Sequence, residues 1–396
     1  MQAVVWQAPG QIEVAQVADP VPRDPGDVVV RLTTSAICGT DLHMIRGTMP
    51  GLRPGIVLGH EGVGVVEEVG SAVRAFRAGD RVVVPSTLCC GRCSYCRAGY
   101  TSQCDAANPN GPLAGTALFG GPEQTGGFDG LQAQYARVPW ADANLVPLPD
   151  AVDDDQAIML SDVFPTGYFG AKLAEVSRGD SVAVFGCGPV GQLAIASARH
   201  LGAARVFAVD RDAARLEKAR RQHVEPVDVT VEDPVEALRE LTGGIGPDRV
   251  IDAVGVDAYG PRSGDADDQE RRAAELEEAA GGGPTAWNAG DDPSLAASWA
   301  AEAVAKAGTI GVIGVYPPTA RSFPIGTVLN RNLTVKAGNC PHRALIPELI
   351  DIVASGTLDP GRGVTVRDGL ADAVEAYRTF DTHEPGWVKV AIEPAT

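Results

Sequence analysis

The first part of the chain alternates between apolar and polar positions in short runs that glycine and proline interrupt. VVVRLTTSAICG, EGVGVVEEVG and DRVVVPS show this pattern. Period-two alternation between turn signals is typical of half-buried strands, so this region predicts a mainly β domain.

From about residue 163 the pattern changes to apolar runs that alternate with helical periodicity. SVAVFGCGPVGQLAIASARHLGAARVFAVDRD predicts a buried strand, a glycine turn, a helix and a second buried strand. DRVIDAVG and GTIGVIGVY predict further strands, with the helix-like SLAASWAAEAVAKAG between them. This alternation predicts an α/β fold with a doubly wound parallel sheet over residues 163–320.

The C-terminal part returns to the earlier pattern. NRNLTVKAG and GWVKVAIEP are strand-like, and helical patterns occur near 344–355 and 369–380. We therefore predict that residues 321–396 rejoin residues 1–162 in one discontinuous domain.

An acidic, alanine-rich segment at residues 260–294 interrupts the strand and helix alternation. Its composition predicts a solvated surface insertion with one helix. A cover over a bound cofactor is the alternative interpretation.

Length and charge narrow the class of protein. A chain of 396 residues exceeds one ordinary core, which predicts two domains. The formal net charge of -18 argues against a nucleic-acid or anionic-membrane partner, because phosphate binding needs a basic face. The first residues lack a signal-peptide pattern, and no apolar run reaches about 18 residues. We therefore expect a cytoplasmic location with reduced thiols.

Five of the eight cysteines fall in CCGRCSYCRAGYTSQC, residues 89–104. Cys90, Cys93, Cys96 and Cys104 have the spacing C-x2-C-x2-C-x7-C, and four thiolates complete a tetrahedral zinc shell. A closed shell leaves no place for substrate, so we predict a structural zinc. Disulfides or redox thiols are the alternative.

GCGPVG has the G-x-G-x-x-G spacing between a predicted strand and a predicted helix. We expect Gly186 to form the tight turn, Gly188 to admit a pyrophosphate and Gly191 to allow close helix packing. Pro189 and Val190 complete the turn at the helix N-terminus, whose N–H groups favour phosphate. This motif predicts a dinucleotide site.

Asp210 ends the next predicted strand, at the distance where a carboxylate reaches the adenosine ribose. A carboxylate there repels a 2′-phosphate, which favours NAD over NADP. Arg211 and Arg215 lie nearby and could accommodate a phosphate, so NADP is the alternative.

Two further motifs, ICGTDLH at 37–43 and GHE at 59–61, are weak signals separately. Together with LGHEGVGVVEEVG, the cysteine loop, GCGPVG and DAVG, they resemble the zinc-containing medium-chain alcohol dehydrogenase family along nearly the whole chain. The resemblance implies a GroES-like catalytic domain formed from both chain ends and a Rossmann domain that binds NAD.

The resemblance also implies a second, catalytic zinc. Cys38 and His60 match its first two ligands, and Asp162 stands where the family commonly has a cysteine. An aspartate at this position is similar to what is found in the family branch that contains glutathione-independent formaldehyde dehydrogenases. Carboxylate oxygen is an acceptable zinc ligand. A helix cap is the alternative role for Asp162.

Four residues near these ligands match catalytic positions of the family. Thr40 matches the hydroxyl that takes a proton from the substrate alcohol, and His43 matches the next member of the relay, although an ordinary surface histidine is the alternative. Asp41 is expected to orient His60, and Glu61 matches a carboxylate close to the metal. A buried, hydrogen-bonded acid without a catalytic role is the alternative for both.

Other positions match nicotinamide and phosphate contacts: Thr166, Val254, Gly314, Val315 and Arg343. The expected function is hydride transfer between a small alcohol, or an aldehyde hydrate, and NAD. A formaldehyde dehydrogenase or aldehyde dismutase with tightly held NAD is the alternative, and a non-catalytic zinc-stabilised binding protein is the alternative of another class. The resemblance also implies a homodimer or homotetramer.

Overall fold

The structure is a computed structural model that describes residues 1–110, 115–260, 270–275, 290–317, 320 and 322–394. Its backbone divides into two compact units. The described part of unit 1 comprises residues 1–110, 115–165 and 339–394, and that of unit 2 lies between residues 166 and 338. Most of the 260–294 insertion lies outside the described residues, so its prediction stays untested.

Unit 1 is the predicted β-rich domain and contains two sheets. The first sheet is antiparallel, with the spatial order Gln11–Gln16, Gln2–Ala8 and Ile56–Val57. The second has the order Val366–Gly369, Val390–Glu393, Val28–Ile37, Gly62–Val69, Arg81–Val84 and Val146–Pro147, with Tyr135–Val138 also paired to Val28–Ile37. Its apolar face is buried in a core that includes Val30, Leu32 and Val82.

Most helices of unit 1 are short, and the longest described one, His342–Ala354, has 13 residues. The α-helices are Gly39–Arg46, Ser94–Arg97, Ala141–Asn144, Asp154–Ser161, His342–Ala354 and Ala373–Asp381. The 3-10 turns are Thr101–Gln103, Glu123–Thr125, Pro360–Gly363 and Leu370–Asp372. The helix Val163–Leu173 contains the boundary between the units.

Unit 2 is the predicted doubly wound domain. Its six strands are parallel, in the order Glu225–Asp228, Arg205–Asp210, Ser181–Phe185, Arg249–Asp252, Thr309–Val312 and Thr334–Ala337. The α-helices whose full bounds lie in the described residues of this unit are Pro189–His200, Ala213–Arg220, Pro234–Leu241, Leu295–Ala303 and Ile325–Asn330, and Gly255–Asp257 is a 3-10 turn. The middle positions of the two central strands, residues 182–184 and 250–251, are apolar and buried because helices cover parallel sheets on both faces. The predicted α/β fold class is therefore confirmed.

The structure corrects one predicted boundary. The sequence predicted that residues 321–338 belong to the β-rich domain, but Thr334–Ala337 pairs in parallel with Thr309–Val312 and forms the sixth strand of unit 2. The first unit resumes at Asn339. The apolar pattern predicted a strand correctly, but it did not indicate with which sheet the strand would pair.

Within the part of the chain that the structure describes, no helix is both long and apolar enough to cross a bilayer.

Candidate functional sites

The cysteine loop brings four sulfur atoms together in unit 1. Cys90, Cys93, Cys96 and Cys104 each place Sγ within 4.8 Å of the others. The Cys93 sulfur lies 3.4 Å from Cys96 Sγ and 4.0 Å from Cys104 Sγ. Backbone N–H groups point at the sulfurs, including Cys90 N to Cys104 Sγ at 3.2 Å.

This geometry fits one zinc ion. Zinc–sulfur bonds of about 2.3 Å in a tetrahedron separate the sulfurs by about 3.8 Å. The observed sulfur–sulfur distances of 3.4 and 4.0 Å lie on either side of that value. They are much longer than a disulfide bond, and the cysteines are free thiols. Cys89 is not a member of the group, and its Sγ donates to the Ala143 carbonyl oxygen at 3.5 Å.

A second buried cluster in unit 1 contains the predicted catalytic ligands. Cys38, His60, Glu61 and Asp162 each offer a ligand atom within 4.8 Å of the others. Asp162 Oδ2 lies 3.5 Å from Cys38 Sγ and 3.4 Å from His60 Nε2. The three elements that supply them are far apart in sequence: the end of strand Val28–Ile37, the segment before strand Gly62–Val69, and the end of helix Asp154–Ser161.

Asp41 fixes the orientation of the His60 ring. Its Oδ1 lies 2.9 Å from His60 Nδ1, and its Oδ2 accepts the Cys38 backbone N–H at 3.0 Å. A proton on Nδ1 leaves the Nε2 lone pair directed at Asp162 and Cys38. Asp41, in the first turn of the helix Gly39–Arg46, therefore contacts both Cys38 and His60 and holds them next to each other.

The electrostatics of the cluster fit a bound cation. Burial, with the charge of Asp162, raises the pKa of the Cys38 thiol. Burial would also raise the pKa of Asp162, but a hydrogen bond from His342 and the neighbouring His60 ring hold it well below its usual value. Buried groups of this kind are stable when paired or when they coordinate a metal. A divalent cation would favour the thiolate, and a sulfur, a nitrogen and an oxygen donor suit zinc.

Glu61 lies next to this cluster and is paired with a lysine that the sequence analysis missed. Lys389 Nζ donates to Glu61 Oε1 at 2.6 Å and to the Ile37 carbonyl at 2.9 Å, and Lys389 and Glu61 are fully buried. Burial lowers the pKa of Lys389, but the Glu61 carboxylate outweighs that effect and raises it. A signal existed in WVKVAIE, where Lys389 interrupts an apolar run, because a lysine is rarely buried unless it is paired.

The predicted relay residues lie on the helix Gly39–Arg46. Thr40 is half-buried, and His43 is 4 % exposed with its Nδ1 3.1 Å from Thr48 Oγ1. The alternative of an ordinary surface histidine is therefore wrong, because the helix turns His43 toward the interior. Residues three apart share one helix face, so Thr40 and His43 are neighbours there.

Two other buried contacts near the cluster were not predicted. His342 Nε2 lies 2.7 Å from Asp162 Oδ1, and His342 Nδ1 lies 3.1 Å from Thr87 Oγ1. Tyr377 donates to Gln132 Oε1 at 2.8 Å, beside Asp41. The sequence carries no local signal for these pairs, because 180 residues separate His342 from Asp162.

In unit 2 the glycine turn has the spacing and conformation expected of a dinucleotide loop. Gly186 has a φ of +86°, and Gly188 is the N-cap of the helix Pro189–His200. A Cβ on Gly191 would overlap the Gly186 carbonyl oxygen, whereas a Cβ on Gly188 would meet its nearest atom at 3.8 Å. Gly191 is therefore needed for packing, and the space beside Gly188 can admit a ligand.

Asp210 is held at the end of its strand by three backbone N–H groups. Its Oδ2 accepts from Cys187 N at 2.5 Å, and its Oδ1 accepts from Arg211 N at 2.7 Å and Asp212 N at 2.9 Å. The Arg211 guanidinium lies over the Tyr259 ring at 4.1 Å. Arg215 lies by the glycine loop, where its Nη1 is the atom nearest to a Cβ on Gly188.

The other predicted cofactor positions are distributed over both units. Val254 N donates to Asp252 Oδ1 at 2.9 Å, and a Cβ on Gly314 would overlap the Gly255 backbone, so the two strand ends approach closely. Val315 O accepts from Val256 N at 3.0 Å. Thr166 is the first residue of unit 2, whereas Arg343 lies in unit 1 beside His342.

Comparison with known proteins supports the same class. Residues 24–150 match the family profile of the alcohol dehydrogenase GroES-like domain, and residues 189–263 match that of zinc-binding dehydrogenases. Over the whole of both chains, the protein is 37 % identical to AdhB, a zinc-type alcohol dehydrogenase-like protein of Bacillus subtilis. The alcohol dehydrogenase TADH from Thermus sp. ATN1 superposes with a TM-score of 0.82 at 33 % identity, over 99 % of each chain.

The fold and these matches define a zinc-type oxidoreductase. The chain belongs to the zinc-containing medium-chain alcohol dehydrogenase family, which confirms the resemblance seen in the sequence. The formaldehyde dehydrogenase branch is matched in part. A glutathione-independent formaldehyde dehydrogenase of Pseudomonas aeruginosa is 40 % identical over 272 residues, which cover 65 % of this chain and 66 % of that protein.

Proposed function

We propose that the protein is a zinc- and NAD-dependent dehydrogenase that transfers a hydride between a small alcohol, or an aldehyde hydrate, and the nicotinamide. The observation that carries this proposal is the buried cluster of Cys38, His60 and Asp162. A zinc ion held by these residues would supply a Lewis acid for the substrate oxygen and lower the pKa of the hydroxyl. The four-cysteine loop would hold a second, structural zinc.

The chain's own residues would orient the ligands and carry the proton. Oxidation of an alcohol releases one proton for each hydride transferred. Thr40 would take that proton, and His43, on the same helix face, would pass it on, because one imidazole nitrogen can accept a proton while the other donates one. Asp41 keeps the His60 ring in one orientation, and Lys389 balances the Glu61 charge behind the ligands.

NAD is the proposed cofactor because of how Asp210 is held. A carboxylate has about four lone-pair sites, and backbone N–H groups use three on Asp210. Among the described residues these are the hydrogen bonds to Asp210, so a further lone-pair site would accept a ribose hydroxyl, while the negative charge repels a 2′-phosphate. Arg211 stacks on Tyr259, which makes it a poorer phosphate partner. Thr166, Val254, Gly314, Val315 and Arg343 remain proposed contacts to the nicotinamide and phosphates.

The test uses purified holoenzyme with a panel of alcohols and aldehydes, with NAD or NADP, while reduced nicotinamide is followed by absorbance. We expect NAD-dependent turnover and two zinc ions per chain. Asp162→Ala should abolish turnover and remove one zinc, with the cysteine-loop zinc as the internal control. Faster initial rates with NADP would overturn the cofactor assignment.

A formaldehyde dehydrogenase or aldehyde dismutase that retains NAD is the second candidate. Asp162 and the partial match to the Pseudomonas aeruginosa enzyme favour it. Denaturing the freshly purified protein should then release NAD, detected by its absorbance. Protein that is free of nucleotide yet turns over with added NAD would exclude this candidate.

We also propose that the chain forms a homodimer or homotetramer in a reducing compartment such as the cytoplasm, where metal-binding thiols persist. Ile325 and Leu329 expose 67 % and 75 % of their surface. They lie on the helix that precedes Thr334–Ala337, the last strand in the order of the six-stranded sheet. Exposed apolar residues near a sheet edge favour self-association. Light scattering coupled to size-exclusion chromatography would measure the mass.

A further inference from the structure

A carboxylate is a less restricted zinc ligand than the cysteine for which it substitutes. A thiolate offers one donor atom, whereas a carboxylate offers two oxygens that can bind singly or together. A second oxygen on the metal would occupy the position that a catalytic zinc keeps open for substrate. Asp162 therefore requires a feature that separates the roles of its two oxygens.

The structure shows such a separation. Asp162 Oδ2 lies 3.4 Å from His60 Nε2 and 3.5 Å from Cys38 Sγ, so it faces the other donors. Asp162 Oδ1 lies 2.7 Å from His342 Nε2. The two oxygens of one carboxylate thus have different partners.

His342 is itself held in place. It is the first residue of the helix His342–Ala354 and is 3 % exposed. Its Nδ1 lies 3.1 Å from the hydroxyl of Thr87, which is also buried. A neutral imidazole that donates Nε2–H to Asp162 accepts at Nδ1, where the Thr87 hydroxyl can donate. We assign the tautomer on this basis.

We propose that His342, supported by Thr87, is a positioning residue that engages Asp162 Oδ1 and leaves Oδ2 as the single metal-binding oxygen. The inference rests on the proposed function of the cluster as a zinc site. It goes further because it assigns a role to two residues outside the ligand set, and it explains how an aspartate can serve where a one-atom ligand is usual.

The test measures the metal site directly, in holoenzyme whose catalytic zinc is replaced by cobalt. The variants are His342→Leu, His342→Gln and Thr87→Val. His342→Leu should lower catalytic-site metal affinity by about 10- to 100-fold against a competing chelator. The visible cobalt bands should weaken as a second oxygen joins the ion. His342→Gln retains a side-chain N–H donor and should recover much of both signals, and Thr87→Val should show a smaller loss.

A second background separates positioning from general structural support. With Asp162→Cys the ligand has a single donor atom, so adding His342→Leu should change metal affinity by less than about 2-fold. The metal of the four-cysteine loop is the folding control in every variant.

Three results would overturn the inference. His342→Leu could keep wild-type metal affinity and cobalt spectrum, or it could cause the same loss in the Asp162→Cys background, which would indicate structural support alone. Wild-type protein that binds metal solely at the cysteine loop would overturn the proposed function, and this inference with it. The wild-type metal content therefore distinguishes the two failures.

Discussion

Lys389 offers a demanding test of the electrostatics behind the ligand cluster. The substitution Lys389→Met keeps an unbranched side chain of similar length and removes the ammonium group. Nζ makes contacts of 2.6 and 2.5 Å with the two Glu61 oxygens, and 2.9 Å with the Ile37 carbonyl. The variant therefore leaves Glu61, whose pKa burial already raises to about 7, without its counter-ion, and a buried carbonyl without this donor.

The expected loss of stability is large because both partners are fully buried. Removing one member of a buried ion pair costs about 3–5 kcal/mol. For a unit of this size, each kcal/mol lowers the unfolding midpoint by about 2–4 °C, so we expect a fall of roughly 6–20 °C. The pKa of Lys389 is raised in the folded protein, so its ion pair adds to the free energy of unfolding. That stabilisation is fully present below the pKa of about 10.4 in the unfolded chain, and it is lost as the pH rises through the higher pKa of the folded protein.

The assay is calorimetric unfolding at neutral pH, with Lys336→Met as the matched control. Lys336 Nζ also lies 2.6 Å from a carboxylate, that of Glu175, but both side chains are exposed. Solvent screens that pair, so its loss should move the midpoint little. The double variant Glu61→Gln/Lys389→Met removes both buried charges and should be more stable than Lys389→Met alone.

The reasoning would be refuted if Lys389→Met destabilised the protein no more than Lys336→Met does. It would also be refuted if the double variant were as unstable as the single one. Either result would mean that the buried charge of Glu61 does not depend on Lys389.

Two further predictions concern the cofactor loop and the cysteine loop. Gly191→Ala should prevent stable folding of unit 2, because the methyl would overlap the Gly186 carbonyl oxygen. Gly188→Ala should fold normally because there is space for its methyl, yet it should weaken NAD binding because that methyl obstructs the pyrophosphate. Thermal unfolding measures the stability of each variant, and titration with NAD measures binding. Equal stability of the two variants would contradict this assignment. Cys96→Ser should release one zinc ion and expose residues 89–104 to protease, as metal analysis and limited proteolysis would show. Cys89→Ser should keep both ions, and loss of an ion from it would place Cys89 in the shell.

The features that the sequence predicted best are encoded within short stretches. The four cysteines lie within 15 consecutive residues, and the glycine turn lies between adjacent strand and helix patterns. The chain connectivity alone brings such residues together, so their spacing carries nearly all the information. The structure accordingly shows the sulfurs close together and Gly188 at the N-terminus of its helix.

The second cluster was predicted through the family resemblance and not from spacing. Cys38, His60 and Asp162 come from three elements that are distant in the chain. No local pattern says that they meet. The same limit explains the boundary error, since the strand Thr334–Ala337 has an apolar pattern that either unit's sheet could have accepted.

The sequence by itself determined the alternation of strands and helices, the cysteine loop and the dinucleotide turn, because each depends on neighbours along the chain. Only the tertiary structure decided which buried charges are paired: Lys389 with Glu61, and His342 with Asp162. The physical reason is that a buried ionisable group requires a partner. That partner can come from any element that the fold brings within about 3 Å.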